Sequence, residues 1–126
     1  MVDHRQKLGA LGETLAANYL QSKGLILVER RWRCRYGEID LVMLDGAALV
    51  IVEVRTRRGT DRGSPEESLT PQKRRRLMLV ASIYLQGRAL AGSPWSGPWR
   101  LDVVAVVLDR SGRLARISHI EWAVEE

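Results

Sequence analysis

Two apolar runs constrain this chain more than any other feature: Ala47 to Val52, and Val103 to Leu108. Both are of strand length and rich in β-branched residues. An unbroken apolar run of that kind suits a strand covered on both faces. Neither approaches the ~20 apolar residues that a spanning helix needs, so no membrane span is expected. A sheet covered on both faces needs helices above and below it, which points to an α/β domain. At 126 residues, the expectation is a single domain over 1–126 with one core.

The rest of the chain supplies those helices. Residues from about His4 to Lys23 read as a helix, because Leu8, Leu11, Leu15 and Tyr19 recur at helical spacing and Gly24 stops it. Strands follow at about Leu25–Arg33, Glu38–Leu44 and Ala47–Arg57, with Asp45-Gly46 as a hairpin signal between the last two. A polar loop is expected from Arg58 to Ser68. Thr70-Pro71 then opens a second helix, with Thr as N-cap, Pro at the first helical position, and a stripe of Leu77, Val80, Ala81 and Tyr84. After a loop from Ala91 to Pro98, strands are expected at Trp99–Asp109 and from Leu114 to about Trp122. The predicted order is α-β-β-β-α-β-β.

Composition narrows the chemistry. The only cysteine, Cys34, has no internal disulfide partner, and two histidines are too few for a Cys/His zinc cluster. The opening MVDHRQKLGALGE has no apolar core of a secretory signal, so the expected location is the cytoplasm. Basic residues number 20 and acidic residues 15, for a net charge of +5. Arginine contributes 17 of the 20, and its donor fork matches phosphate oxygens. Such a balance suits a nucleic-acid partner or, equally, a soluble domain from an arginine-rich proteome. No phosphate-binding glycine motif is present, so nucleotide-cofactor chemistry has no support.

The candidate site residues lie in and around the buried strands. Glu53 interrupts an otherwise apolar strand, and a buried carboxylate is costly unless paired or metal-bound. Hairpin pairing about Asp45-Gly46 brings Asp40 close to Glu53. Two adjacent carboxylates can be relieved by a divalent cation, with Mg²⁺ or Mn²⁺ favoured by oxygen ligands. Arginines such as Arg55 or Arg57 can relieve them equally well. Glu13 sits at the margin of the first helix's apolar arc, placed either to lean toward the sheet or to make a surface ion pair. Lys73-Arg74-Arg75-Arg76 sets four cations at the positive end of a helix dipole, which suits either an anion docking there or a solvated basic turn. Lys73 also heads the core-facing stripe. Trp32, Trp95 and Trp99 read as packing residues, and His4 and His119 carry no pattern.

Four motifs together carry a resemblance. Gly9-x-x-Gly12-Glu13, Gly37-Glu38-Ile39-Asp40-Leu41-Val42, Val52-Glu53-Val54-Arg55-x-Arg57 and Thr70-x-x-Lys73-x-x-Arg76-Leu77 resemble the YraN family of small bacterial proteins of uncharacterised function. That family belongs to the restriction-endonuclease-like superfamily, which includes Holliday-junction resolvases. The resemblance implies a mixed central β-sheet flanked by helices. It implies Mg²⁺ or Mn²⁺ held by Asp40 and Glu53, with Glu13 as a further ligand, and endonuclease activity on nucleic acid, DNA first and branched DNA among its forms. Arg57 and Arg58 with Lys73 to Arg76 would hold backbone phosphates. The superfamily expects Lys where Arg55 stands. Arginine stays protonated, so either Arg55 acts by charge alone, or Lys73 takes over, or the site is degenerate and only binding persists. Many superfamily nucleases pair up to cut two strands, which leaves a homodimer open.

Overall fold

A computed structural model of the chain describes residues 4–59 and 69–123. The expected order holds element by element: α1 (His4–Ser22), β1 (Ile26–Cys34), β2 (Gly37–Asp45), β3 (Ala48–Arg58), α2 (Pro71–Leu90), β4 (Trp99–Leu108) and β5 (Leu114–Ile120). Boundaries differ from the sequence reading by one or two residues. Most of the expected 58–68 loop lies outside the described residues.

The five strands form one sheet in the order β1-β2-β3-β4-β5. Neighbours are antiparallel except for β3 and β4, which run parallel on either side of the α2 crossover. The β2–β3 turn uses Gly46 at φ 57 as the first central residue of its two-residue loop, where a type II′ turn favours glycine. Thr70 caps α2 by accepting the Lys73 N–H at 3.2 Å, and Pro71 occupies the first turn, where its missing N–H costs nothing.

Each face of the sheet carries its own core. On the α1 side, Ala16, Ala17 and Leu20 pack on Leu41, Met43, Val50, Val52, Val104 and Val106. On the α2 side, Val80, Ala81 and Tyr84 pack on Ile39, Val42, Leu49, Ile51 and Leu101. β3 and β4 are covered on both faces, which is why their apolar runs are unbroken. One expectation needs correction. Leu11 is 41% exposed, and the face of α1 that meets the sheet is built from Ala16, Ala17 and Leu20, with Leu8, Leu15 and Tyr19 packed beside them. Small side chains let the helix approach closely. At Gly12 an added Cβ would overlap the Thr56 side chain, so α1 lies against β3 where only glycine fits.

Trp32 packs edge-on against Tyr84, their ring centroids 5.1 Å apart. Trp95 and Trp99 join the α2-side core, so all three behave as packing residues.

Candidate functional site

The site lies where β3 parts from β2. Their ladder runs from Asp45–Ala48 to Leu41–Val52 and stops there. The next pair in register would be Asp40 and Glu53. Beyond it β3 continues beside β4 as far as Arg58, and no strand among the described residues pairs with its other edge there. The side-chain alternation of β2 breaks at the same place: Ile39 packs with Val42 on the α2 side, while Leu41 and Met43 face α1. In the gap, the Asp40 carboxylate accepts the Val54 N–H at 2.7 Å in place of a strand carbonyl.

Three further acids converge on this gap. Glu13 is buried, brought there by the close approach of α1 at Gly12. Glu38 precedes Asp40 on β2, and Glu53 rises from β3. One carboxylate oxygen from each of Glu13, Glu38 and Asp40 lies within 4.8 Å of the others. Glu53 stands outside that set of three but acts strongly on Asp40. Burial pushes the Asp40 carboxyl up to about 8; the Glu53 charge adds to the rise, and Glu13 and Glu38 add further. The Val54 N–H opposes the rise without cancelling it. Burial likewise raises Glu53, against the lowering pull of Arg55 and Lys73. The gathered donors are hard carboxyl oxygens, crowded closely enough that Asp40 resists ionisation. They fit a hard divalent cation better than any neutral ligand.

Arginines meet several of these acids. Arg31 donates from Nε to Glu13 at 2.9 Å, Arg33 from Nε to Glu38 at 2.9 Å, and Arg55 lies 3.5 Å from Glu53. Arg31 holds its position at φ 55, in the left-handed region that a side chain with a Cβ rarely adopts. Both neutralising routes raised by the sequence, arginine and metal, therefore have residues in place.

A cavity of 280 Å³ opens on the α2 side of the same acids. Glu38, Glu53 and Arg55 form its sheet wall, and Lys73 and Arg76 its helix wall. Arg74 and Arg75 are exposed and do not line it. Arg57 is partly buried on β3. Arg58 is turned to the β4–β5 turn, where it donates to the Arg110 carbonyl at 2.6 and 3.1 Å.

The sequence reading did not foresee Arg31 or the part that Glu38 plays in the acid cluster. It also gave His119 no role. His119 Nε2 lies 2.7 Å from the fully buried Asp102, which also accepts from Arg100 Nε at 3.0 Å and from the Trp122 N–H at 3.1 Å. Burial alone would raise Asp102. The His119, Arg100 and Trp122 hydrogen bonds outweigh it and hold the carboxyl below its usual range. This network fastens the end of β5 to β4. The signal was present, because Asp102 interrupts an apolar strand just as Glu53 does.

Residues 12–106 match the family described as Uncharacterised protein family UPF0102. The chain belongs to that family. A UPF0102 protein of Herpetosiphon aurantiacus is 52% identical over 110 residues, covering 87% of this chain and 89% of the relative. A second from Roseiflexus castenholzii is 46% identical over 126 residues, covering 100% and 99%. A third from Pelotomaculum thermopropionicum is 46% identical over 123 residues, covering 98% and 99%. This is the family that the four motifs resemble. The UPF0102 match reaches from Gly12 to Val106 and so spans the acid cluster, the cavity and both strands of the parallel pair.

Proposed function

We propose that this UPF0102 protein is a metal-dependent endonuclease that hydrolyses phosphodiester bonds in nucleic acid, DNA in the first instance and branched DNA among its forms. The observation that carries this reading is the Asp40 carboxyl: partly buried, raised to about 8, and crowded by Glu53, Glu13 and Glu38 where the β2–β3 ladder ends. Such crowding is costly unless a function uses it.

Asp40 and Glu53 would hold Mg²⁺ or Mn²⁺, with Glu13 or Glu38 reaching it directly or through water. A bound divalent ion supplies Lewis acidity at the phosphoryl oxygen and lowers the pKa of its water. The chain's own residues do the rest. Lys73 and Arg76, facing Glu38 and Glu53 across the cavity, would bind the phosphate backbone and orient the scissile bond. Arg55, fixed beside Glu53, adds positive charge where the phosphate gains negative charge, and it does not exchange a proton. Lys73, in the cavity wall opposite Glu53, would orient the attacking water, whose proton passes to solvent. Arg57, Arg74 and Arg75 extend the basic surface.

Asp40→Asn or Glu53→Gln is expected to lower cleavage of branched or nicked DNA in Mg²⁺ by about 10³-fold or more while changing DNA affinity by less than about threefold. Equal cleavage by variant and parent would remove the metal assignment.

The Arg55–Glu53 ion pair favours a second reading, a nucleic-acid-binding protein with a degenerate nuclease site. It predicts salt-dependent binding and no product in Mg²⁺ or Mn²⁺ on any substrate.

A further inference from the structure

The cavity beside the acids differs on its two sides. Its charged walls are Glu38 and Glu53 on the sheet, opposed by Lys73 and Arg76 on α2. Arg55 stands beside Glu53 on the sheet wall, and Gly37, Leu69, Leu77 and Val80 make the apolar part of the lining. A duplex backbone lying across a flat basic surface has no use for an apolar recess. A base taken out of the stack does, because its faces are apolar and its attached phosphate is anionic. The volume, 280 Å³, is slightly below the ~300 Å³ at which pockets for drug-sized ligands begin. That is room for a single base.

The surrounding structure holds this recess open. Gly37 forms part of its wall, and an added Cβ there would come within 3.0 Å of Val80 Cγ2. Val80 is fully buried and so defines a firm floor. Lys73 and Leu77 lie one helical turn apart, which sets a phosphate-binding cation directly above an apolar contact.

We propose that this cavity receives a single unpaired nucleotide of the substrate, its base against Leu69, Leu77 and Val80 and its phosphate between Lys73 and Arg76. The chain would then select nucleic acid with an overhang, flap or gap over continuous duplex. This inference rests on the nuclease reading and names the substrate class of that same site.

Binding is measured by fluorescence anisotropy in EDTA, so that cleavage plays no part. The probes are a short DNA duplex with a single-stranded overhang and the same duplex with blunt ends. The parent protein is expected to prefer the overhang by about tenfold, the order expected for burying one face of a base against aliphatic side chains. Leu77→Phe fills the recess and is expected to abolish that preference without altering blunt-duplex affinity. Leu77→Ala enlarges it and is expected to keep the preference; thermal melts establish that both variants fold. In methyl spectra, deoxyadenosine monophosphate should shift the Leu77 and Val80 resonances through its ring current, and inorganic phosphate should not.

Equal affinity for the two duplexes, or methyl shifts no larger with the nucleotide than with phosphate, would overturn the inference alone. Absence of any DNA binding at low salt would overturn both it and the nuclease reading.

Discussion

Asp40→Asn tests the electrostatics of the site without any substrate. The ordinary carboxyl value is 3.8, and burial beside Glu53 raises it to about 8 in the fold. Between those values the folded protein holds a proton that the unfolded chain releases. Stability therefore falls as pH rises from about 4 to about 8, the reverse of the usual behaviour of a salt-bridged aspartate. At pH 7 about three pH units of that window have been crossed. At about 1.4 kcal/mol each, the cost reaches roughly 4 kcal/mol. Water entering where the β2–β3 ladder ends reduces it, so about 2–4 kcal/mol is the expected range. Asparagine carries no charge, and its carbonyl can still accept the Val54 N–H. The variant should thus be more stable than the parent at pH 7 by about 2–4 kcal/mol, a rise in melting temperature of roughly 8–16 °C. Near pH 4 the two should converge. Urea titrations at pH 4, 5.5, 7 and 8.5 read the difference directly. A variant less stable than its parent at pH 7, or a difference that does not vary with pH, would refute the claim that Asp40 is crowded by like charge.

Two further substitutions probe how the site is built. Gly12→Ala forces a Cβ into the Thr56 side chain and should cost about 1–3 kcal/mol in urea unfolding, part of it recovered by Thr56→Ala. Arg31→Gly and Arg31→Ala both lose the Glu13 ion pair, but only glycine accepts φ 55 without strain. The glycine variant should be the more stable of the two by about 1 kcal/mol, measured by thermal melting; equal stability would mean that the backbone at Arg31 relaxes freely.

Much of the fold was legible because its signals were local. The Thr70-Pro71 cap, the Asp45-Gly46 turn and the two apolar runs each announce their element within a few residues. The face of α1 was less legible. Its leucines give the helical period, yet the centre of the contact is Ala16, Ala17 and Leu20, and the small alanines matter because Gly12 lets the helix touch β3. Asp40 and Glu53 could be brought together by counting from the turn. The end of the ladder between them could not, since it depends on β3 leaving β2 to follow β4. Arg31 was also illegible. Nothing in its neighbours announces a left-handed arginine, and the β1–β2 register runs evenly through it, with its one extra residue at Val28. The Asp102–His119 pair joins residues from two strands whose register no short motif encodes.

Isothermal titration with Mn²⁺, run at pH 7 in two buffers of different ionisation enthalpy, reads whether the acids at the end of the β2–β3 ladder hold an ion. At pH 7 a carboxyl with a pKa of about 8 is about nine-tenths protonated, so an ion taking Asp40 as a ligand must displace that proton. One saturable site releasing about one proton per ion at pH 7, with release fading by pH 10 and binding lost in Asp40→Asn, is the predicted result. No saturable binding, or binding that Asp40→Asn leaves unchanged, would contradict a metal centre at the end of the β2–β3 ladder.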